Sequence, residues 1–261
     1  MKKILYILIA IATTFAACKK GELIESTPYT KINVGDPAYS FLRFINMTPG
    51  SPSVNFYMND TRVSGAYNAL TGETGFSYIS VFPTTGGQFL PITPGSNRID
   101  AKIVSSATTD KSLNVFNTTI NTAGGKYYSL FTTGTYNTTD KKIATSLLLE
   151  EVKPALDTTK IFVRLVNLYN GGTANIDMVQ RTTGQVLISN VAYNSASGYV
   201  EIPLPGQANV YQFNNAGTTT QTSPTLLTAT LTKGQAYTFI VRGLAGSTTT
   251  PFGLSFYASF Y

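Results

Sequence analysis

The sequence contains no histidine, no tryptophan and a single cysteine, Cys18. Each absence removes a class of chemistry. Without imidazole, Ser-His-Asp and Cys-His nucleophilic catalysis lack their general base, and zinc sites built on histidine lose their usual ligand. One cysteine cannot close an intramolecular disulfide. Charged residues make up only 12% of the chain, with 13 Asp and Glu, which leaves few carboxylates for paired acid–base work on glycosides. Three of them, Glu22, Glu25 and Asp36, fall in a polar amino-terminal segment. Glu150 and Glu151 are adjacent on an expected strand and so point to opposite faces. No Asp-rich calcium loop and no Gly-rich phosphate loop followed by Lys-Ser/Thr is present. The expectation is a non-enzyme with no catalytic residue, no metal and no cofactor.

Long apolar runs are also missing. The longest, Ile4 to Ala17 after Met1-Lys2-Lys3, is interrupted only by Tyr6, Thr13 and Thr14. It falls short of the roughly 20 residues that span a bilayer but suits a secretory signal, which needs about 7–15 apolar residues and small residues at its end. A buried amino-terminal helix is the alternative. Phe15-Ala16-Ala17-Cys18 resembles the bacterial lipobox, with Phe15 in place of the commoner leucine. The resemblance implies a signal peptide over residues 1–17 and diacylation of Cys18, a membrane anchor through two acyl chains. Ordinary cleavage after Ala17, leaving a free thiol, is the competing reading.

The formal charge of +6 falls by two when Lys2 and Lys3 leave with the signal. The remaining cations are scattered, and no basic stripe or motif for nucleic acid is present. What the chain does have is 16 Tyr, 15 Phe and long Thr/Ser/Asn/Gly stretches, the residues of strands and turns.

Residues 18–38 are polar, carry Pro28, Gly35 and Pro37, and read as a flexible tether below the anchor, with a first strand over Tyr29–Val34 as the alternative. Beyond it the chain repeats itself. Phe41-Leu42-Arg43-Phe44-Ile45-Asn46 returns as Phe162-Val163-Arg164-Leu165-Val166-Asn167. Val54–Met58 matches Ala174–Met178, and Phe89–Ile92 matches Tyr199–Ile202, each of the latter pair followed by Pro-Gly. Gly125–Gly134 answers Gly234–Gly243, and Ile143–Glu150 answers Phe252–Phe260, in unbroken order. The reading is a tandem duplication over residues 39–156 and 159–261, joined through Glu151–Thr159. Short alternating runs such as Val54, Phe56, Met58, separated by Gly, Pro and Asn turns, predict an all-β chain of two antiparallel β-sandwiches.

Leu42-Arg43-Phe44-Ile45-Asn46, the Pro49–Pro52 turn, Val54-Asn55-Phe56-Tyr57 and the closing Leu147–Glu151 resemble the bacterial domain-of-unknown-function 4397 family. The second copy keeps Arg164 and Asn167 but replaces the Pro-rich turn with Tyr169-Asn170-Gly171-Gly172. The resemblance covers most of residues 39–245. It implies immunoglobulin-like or transthyretin-like sandwiches in cell-envelope proteins, often lipid-anchored and without an established activity. Lipoproteins of this kind are frequent in the Bacteroidota, where many reach the outer membrane, on its periplasmic or outward side.

Arg43 and Arg164 are the polar positions that stand out, each mid-strand among large apolar residues. They either line a ligand groove or lay their stems along the sheet and pair with a nearby acceptor. Asn46 and Asn167 end those strands as turn devices. Asp157-Thr158-Thr159 fits the pattern for protein O-glycosylation in some Bacteroidota, with Thr158 the acceptor. The expected role is a non-catalytic lipid-anchored envelope protein presenting its modules for adhesion, scaffolding or assembly. The alternative is a glycan- or peptide-binding lipoprotein of a nutrient-uptake system. The partners are therefore the membrane through acylated Cys18 and a protein or glycan ligand, not nucleic acid.

Overall fold

The alternating segments form strands, and no helix occurs among the described residues. The computed structural model describes residues 31–70, 72–84, 87–202 and 209–260. Cys18, the signal over 1–17, most of the tether and Pro205-Gly206 lie outside them. The described part of Tyr29–Val34 contains no strand.

The first half holds β1 (Ser40–Asn46), β2 (Val54–Met58), β3 (Thr61–Arg62), β4 (Tyr67–Asn68), β5 (Gly72–Glu73), β6 (Ser80–Phe82), β7 (Leu90–Ile92), β8 (Gly95–Ile103), β9 (Asn114–Thr122), β10 (Tyr127–Asn137) and β11 (Lys142–Glu150). One sheet runs β11-β10-β1, with β6 and β7 sharing the far edge of β1; the second runs β3-β2-β8-β9, and β4-β5 is a separate hairpin. The second half holds β12 (Ile161–Asn170), β13 (Ile176–Gln180), β14 (Gln185–Val191), β15 (Ser195–Ala196), β16 (Val200–Ile202), β17 (Asn209–Asn215), β18 (Leu227–Ala229), β19 (Ala236–Leu244) and β20 (Gly253–Phe260). Its sheets run β15-β12-β19-β20, with β16 also on β12, and β14-β13-β17-β18.

Pairing is antiparallel except once in each half, where β1 lies parallel to β10 and β12 parallel to β19. The two parallel pairs share a register: Arg43 sits opposite Ser129, and Arg164 opposite Thr238. Strands entering from outside the hairpin sequence need not be antiparallel to it, because a long crossover brings the chain back in either sense.

Period-2 alternation divides each strand between two faces. Leu42, Phe44 and Leu130 meet Val54, Phe56, Ile99 and Ala101 in the first core. Val163, Leu165 and Phe239 meet Ile176, Met178 and Phe213 in the second. The opposite faces of β1, β10, β12 and β19 are not solvated. Ile45, Met47, Phe131, Val166, Leu168 and Ile240 form a third core where the two halves meet face to face. Burial on both faces explains why β1 is buried along its whole length, its polar residues included. Residues Gly35–Tyr261 accordingly form one compact unit.

The chain enters each half in the same way. Before β1, Gly125 donates its N–H to Tyr39 O (2.7 Å), and Phe41 N donates to Lys126 O (2.8 Å). Before β12, Gly234 N donates to Lys160 O (2.7 Å), and Phe162 N to Gln235 O (3.1 Å). Asn46 Oδ1 accepts from Thr48 N just beyond β1, closing the turn there. Asn167 Oδ1 accepts from Tyr169 N in the same way, but β12 runs on to Asn170, so Asn167 lies within its strand rather than at its end.

Candidate functional site

Arg43 and Arg164 project from β1 and β12 toward the seam, and the structure brings them together on one acceptor. Arg43 Nη2 donates to Glu151 Oε1 at 2.8 Å, and Arg164 Nη2 donates to the other oxygen, Oε2. The remaining edges are used alike. Arg43 Nε donates to Ser129 Oγ (2.6 Å), and Arg164 Nε to Thr238 Oγ1 (2.8 Å), each on the parallel neighbour strand. Aromatic rings cover the guanidinium faces: Phe89 and Tyr257 lie 4.8 and 4.2 Å from Arg43, and Tyr199 lies 4.8 Å from Arg164. Phe89 and Tyr199 are matching positions of the sequence repeat.

All three charged side chains are at least 96% buried. Taking one of them out of water alone would cost several kcal/mol; two hydrogen-bonded ion pairs and three ring contacts offset that cost. Burial disfavours the charge on Arg164, but Glu151, with Tyr199 and Tyr257 beside it, outweighs burial and holds the guanidinium above its ordinary pKa. Burial also pushes the phenols of Tyr199 and Tyr257 upward, with Arg164 and Arg43 respectively opposing.

Glu151 is the residue that sequence reasoning missed. It follows β11, where Glu150 and Glu151 do part to opposite sides: Glu150 meets Lys126 at the surface, while Glu151 is buried. Its anchor is Tyr127 O, which accepts Glu151 N at 2.7 Å. The signal was an acid immediately after a strand that shares its sheet with Arg43, with a second mid-strand Arg in the next repeat. The other sequence candidates lie apart from this cluster. Thr158 is exposed in the turn before β12, beside Asp157, whose Oδ1 accepts from Thr159 N and Oγ1. Cys18 lies outside the described residues.

Two further carboxylates, Glu73 and Asp110, line an open surface groove of about 520 Å³. Both are committed. Glu73 accepts from Asn55, Arg62 and Ser105, and the Ser105 hydroxyl prevails over burial to hold its pKa below the usual range. Asp110 pairs with Lys141. Among the described residues no group of three or more His, Cys, Asp or Glu is placed to hold a metal ion, and no helix is long and apolar enough to cross a membrane.

Comparison with the curated proteins finds no match. Among solved structures, the chain is similar to a family 26 carbohydrate-binding module from Eubacterium rectale Amy13K, determined in complex with maltoheptaose. The identity is 13% and the TM-score 0.25, over 85% of this chain and 98% of that one. Residues 40–177 match the domain of unknown function DUF4397. That match takes in Arg43, Glu151 and Arg164, the three charged side chains of the buried cluster, and more than half of the sequence; the chain belongs to the DUF4397 family.

Proposed function

We propose that this is a non-catalytic, lipid-anchored cell-envelope protein whose duplicated sandwich modules act as a single stiff body in adhesion, scaffolding or assembly. The observation that carries the reading is the seam. A third apolar core and a shared Arg43–Glu151–Arg164 clasp join the halves, which is a device for transmitting position rather than for turning over a substrate. The signal at residues 1–17 and the lipobox-like Phe15–Cys18 supply the anchor, with the outer membrane as the destination. The exposure of Thr158 fits an O-glycosylation acceptor. The uptake-lipoprotein reading draws less support, because among the described residues the exposed rings of Tyr67, Tyr193 and Phe256 sit on separate segments of the chain.

Metabolic labelling with a fatty acid, followed by membrane fractionation, tests the anchor. The native chain takes up label and sediments with membranes, whereas Cys18→Ser loses the label and becomes soluble. A Cys18→Ser chain that stays membrane-bound would overturn the reading.

A further inference from the structure

The seam is not filled everywhere. Between β1–β6 of the first half and β19–β20 of the second lies a cleft of about 200 Å³, walled by Ile45, Met47, Val81 and Ile240. Dry spaces of about 150 Å³ with such walls take up benzene, so this one accommodates a single substituted ring or a short branched chain.

Two features give the cleft a chemistry. The first is charge. Arg43 reaches its lining, and Arg43, Glu151 and Arg164 together carry one more positive than negative charge in a desolvated place. Arg43 uses Nε and Nη2 within the clasp, and the buried hydroxyl of Tyr257, also on the cleft lining, meets no hydrogen-bond partner among the described residues. An anion at the cleft would complete both the charge and the hydrogen bonding. The second is strain. Ile79, at the cleft lip, has φ +72° and donates its N–H to Asn46 O at 2.7 Å. In the second half Asn194 makes the same bond to Asn167 O, at φ +56°. Asparagine adopts the left-handed region readily, while a β-branched residue there costs on the order of 1–3 kcal/mol. The chain therefore keeps a costly aliphatic side chain where it walls the cleft.

We propose that the seam cleft binds a small apolar carboxylate, one ring or one short branched chain bearing a single negative group. The carboxylate meets Arg43, and the apolar body lies on Ile45, Ile79, Val81 and Ile240. This site is independent of whether Cys18 is acylated.

Phenylacetate and its neutral isostere phenylacetamide, titrated into the full-length chain and followed by amide NMR shifts and Tm, provide the test. The acid is expected to shift Ile45, Val81, Ile240 and Tyr257 and to raise Tm, and the amide to bind at least about tenfold more weakly for want of a charge-assisted contact. Val81→Trp fills the cleft and abolishes binding. Ile79→Asn relieves the strained backbone, so it raises the Tm of the free chain while weakening the acid several-fold; this variant keeps the test alive if Val81→Trp fails to fold. No shifts at millimolar acid, equal binding of acid and amide, or undiminished binding by Ile79→Asn would overturn the site.

Discussion

Glu151 illustrates how much one side chain can decide. Each of its oxygens meets a guanidinium from a different half, and its side chain is fully buried. Truncation therefore leaves two buried cations facing each other without a counter-charge. Glu151→Ala is expected to cost about 3–5 kcal/mol, the usual penalty for breaking a buried ion pair from one side, read as a lower urea midpoint. Replacing the whole cluster (Arg43→Met, Glu151→Leu, Arg164→Met) removes the desolvation cost along with the attraction, and stability should return to within about 1–2 kcal/mol of native. If the triple variant is no more stable than Glu151→Ala, the clasp itself carries the fold. Arg43 and Arg164 were legible in the sequence because a charge amid Phe, Leu and Val demands a partner. Their partner was not, because strand parity places Glu151 on a face but says nothing of what covers that face.

At the scale of elements, β1 and β12 were readable as strands, yet their two-sided burial was not. A half-solvated antiparallel strand alternates apolar with polar residues, while Ser40–Asn46 and Ile161–Asn170 are buried almost throughout. That density was the sign of a second packing partner. The turn before β10 shows a tighter constraint. A Cβ on Gly124 would lie 2.0 Å from Pro37 O, in the segment that leads into β1. Gly124→Ala should therefore push residues 35–39 off this turn at a cost of about 1–3 kcal/mol. Chymotryptic cleavage after Tyr39 should accelerate while the sandwich beyond it survives; unchanged cleavage would show that the segment is not held there.

For the whole molecule, the seam joins the two sandwiches into one compact unit, which is expected to unfold cooperatively. Each half has its own core, so each retains the means to fold when the seam is broken. Native unfolding should give a single calorimetric transition with equal van't Hoff and calorimetric enthalpies. Val166→Asp, which buries an unpaired carboxylate in the third core, should split it into two. One transition in the variant would mean that cooperativity does not run through the seam. The all-β class was visible in the sequence because it is written in local pattern. The docking of one half on the other was not, since it rests largely on contacts between residues more than a hundred positions apart, such as Arg43 and Tyr257.

The face-to-face seam also sets a limit on number. In stacked repeat proteins each unit offers one face backward and another forward, so copies can be added without end. Here both halves spend the same face, that of β1–β10 and of β12–β19, on each other, and both oxygens of the buried carboxylate between them are already engaged by guanidiniums. The arrangement is self-terminating: a further module appended to this chain would find no vacant face of this kind, and growth beyond two would have to use a different surface altogether.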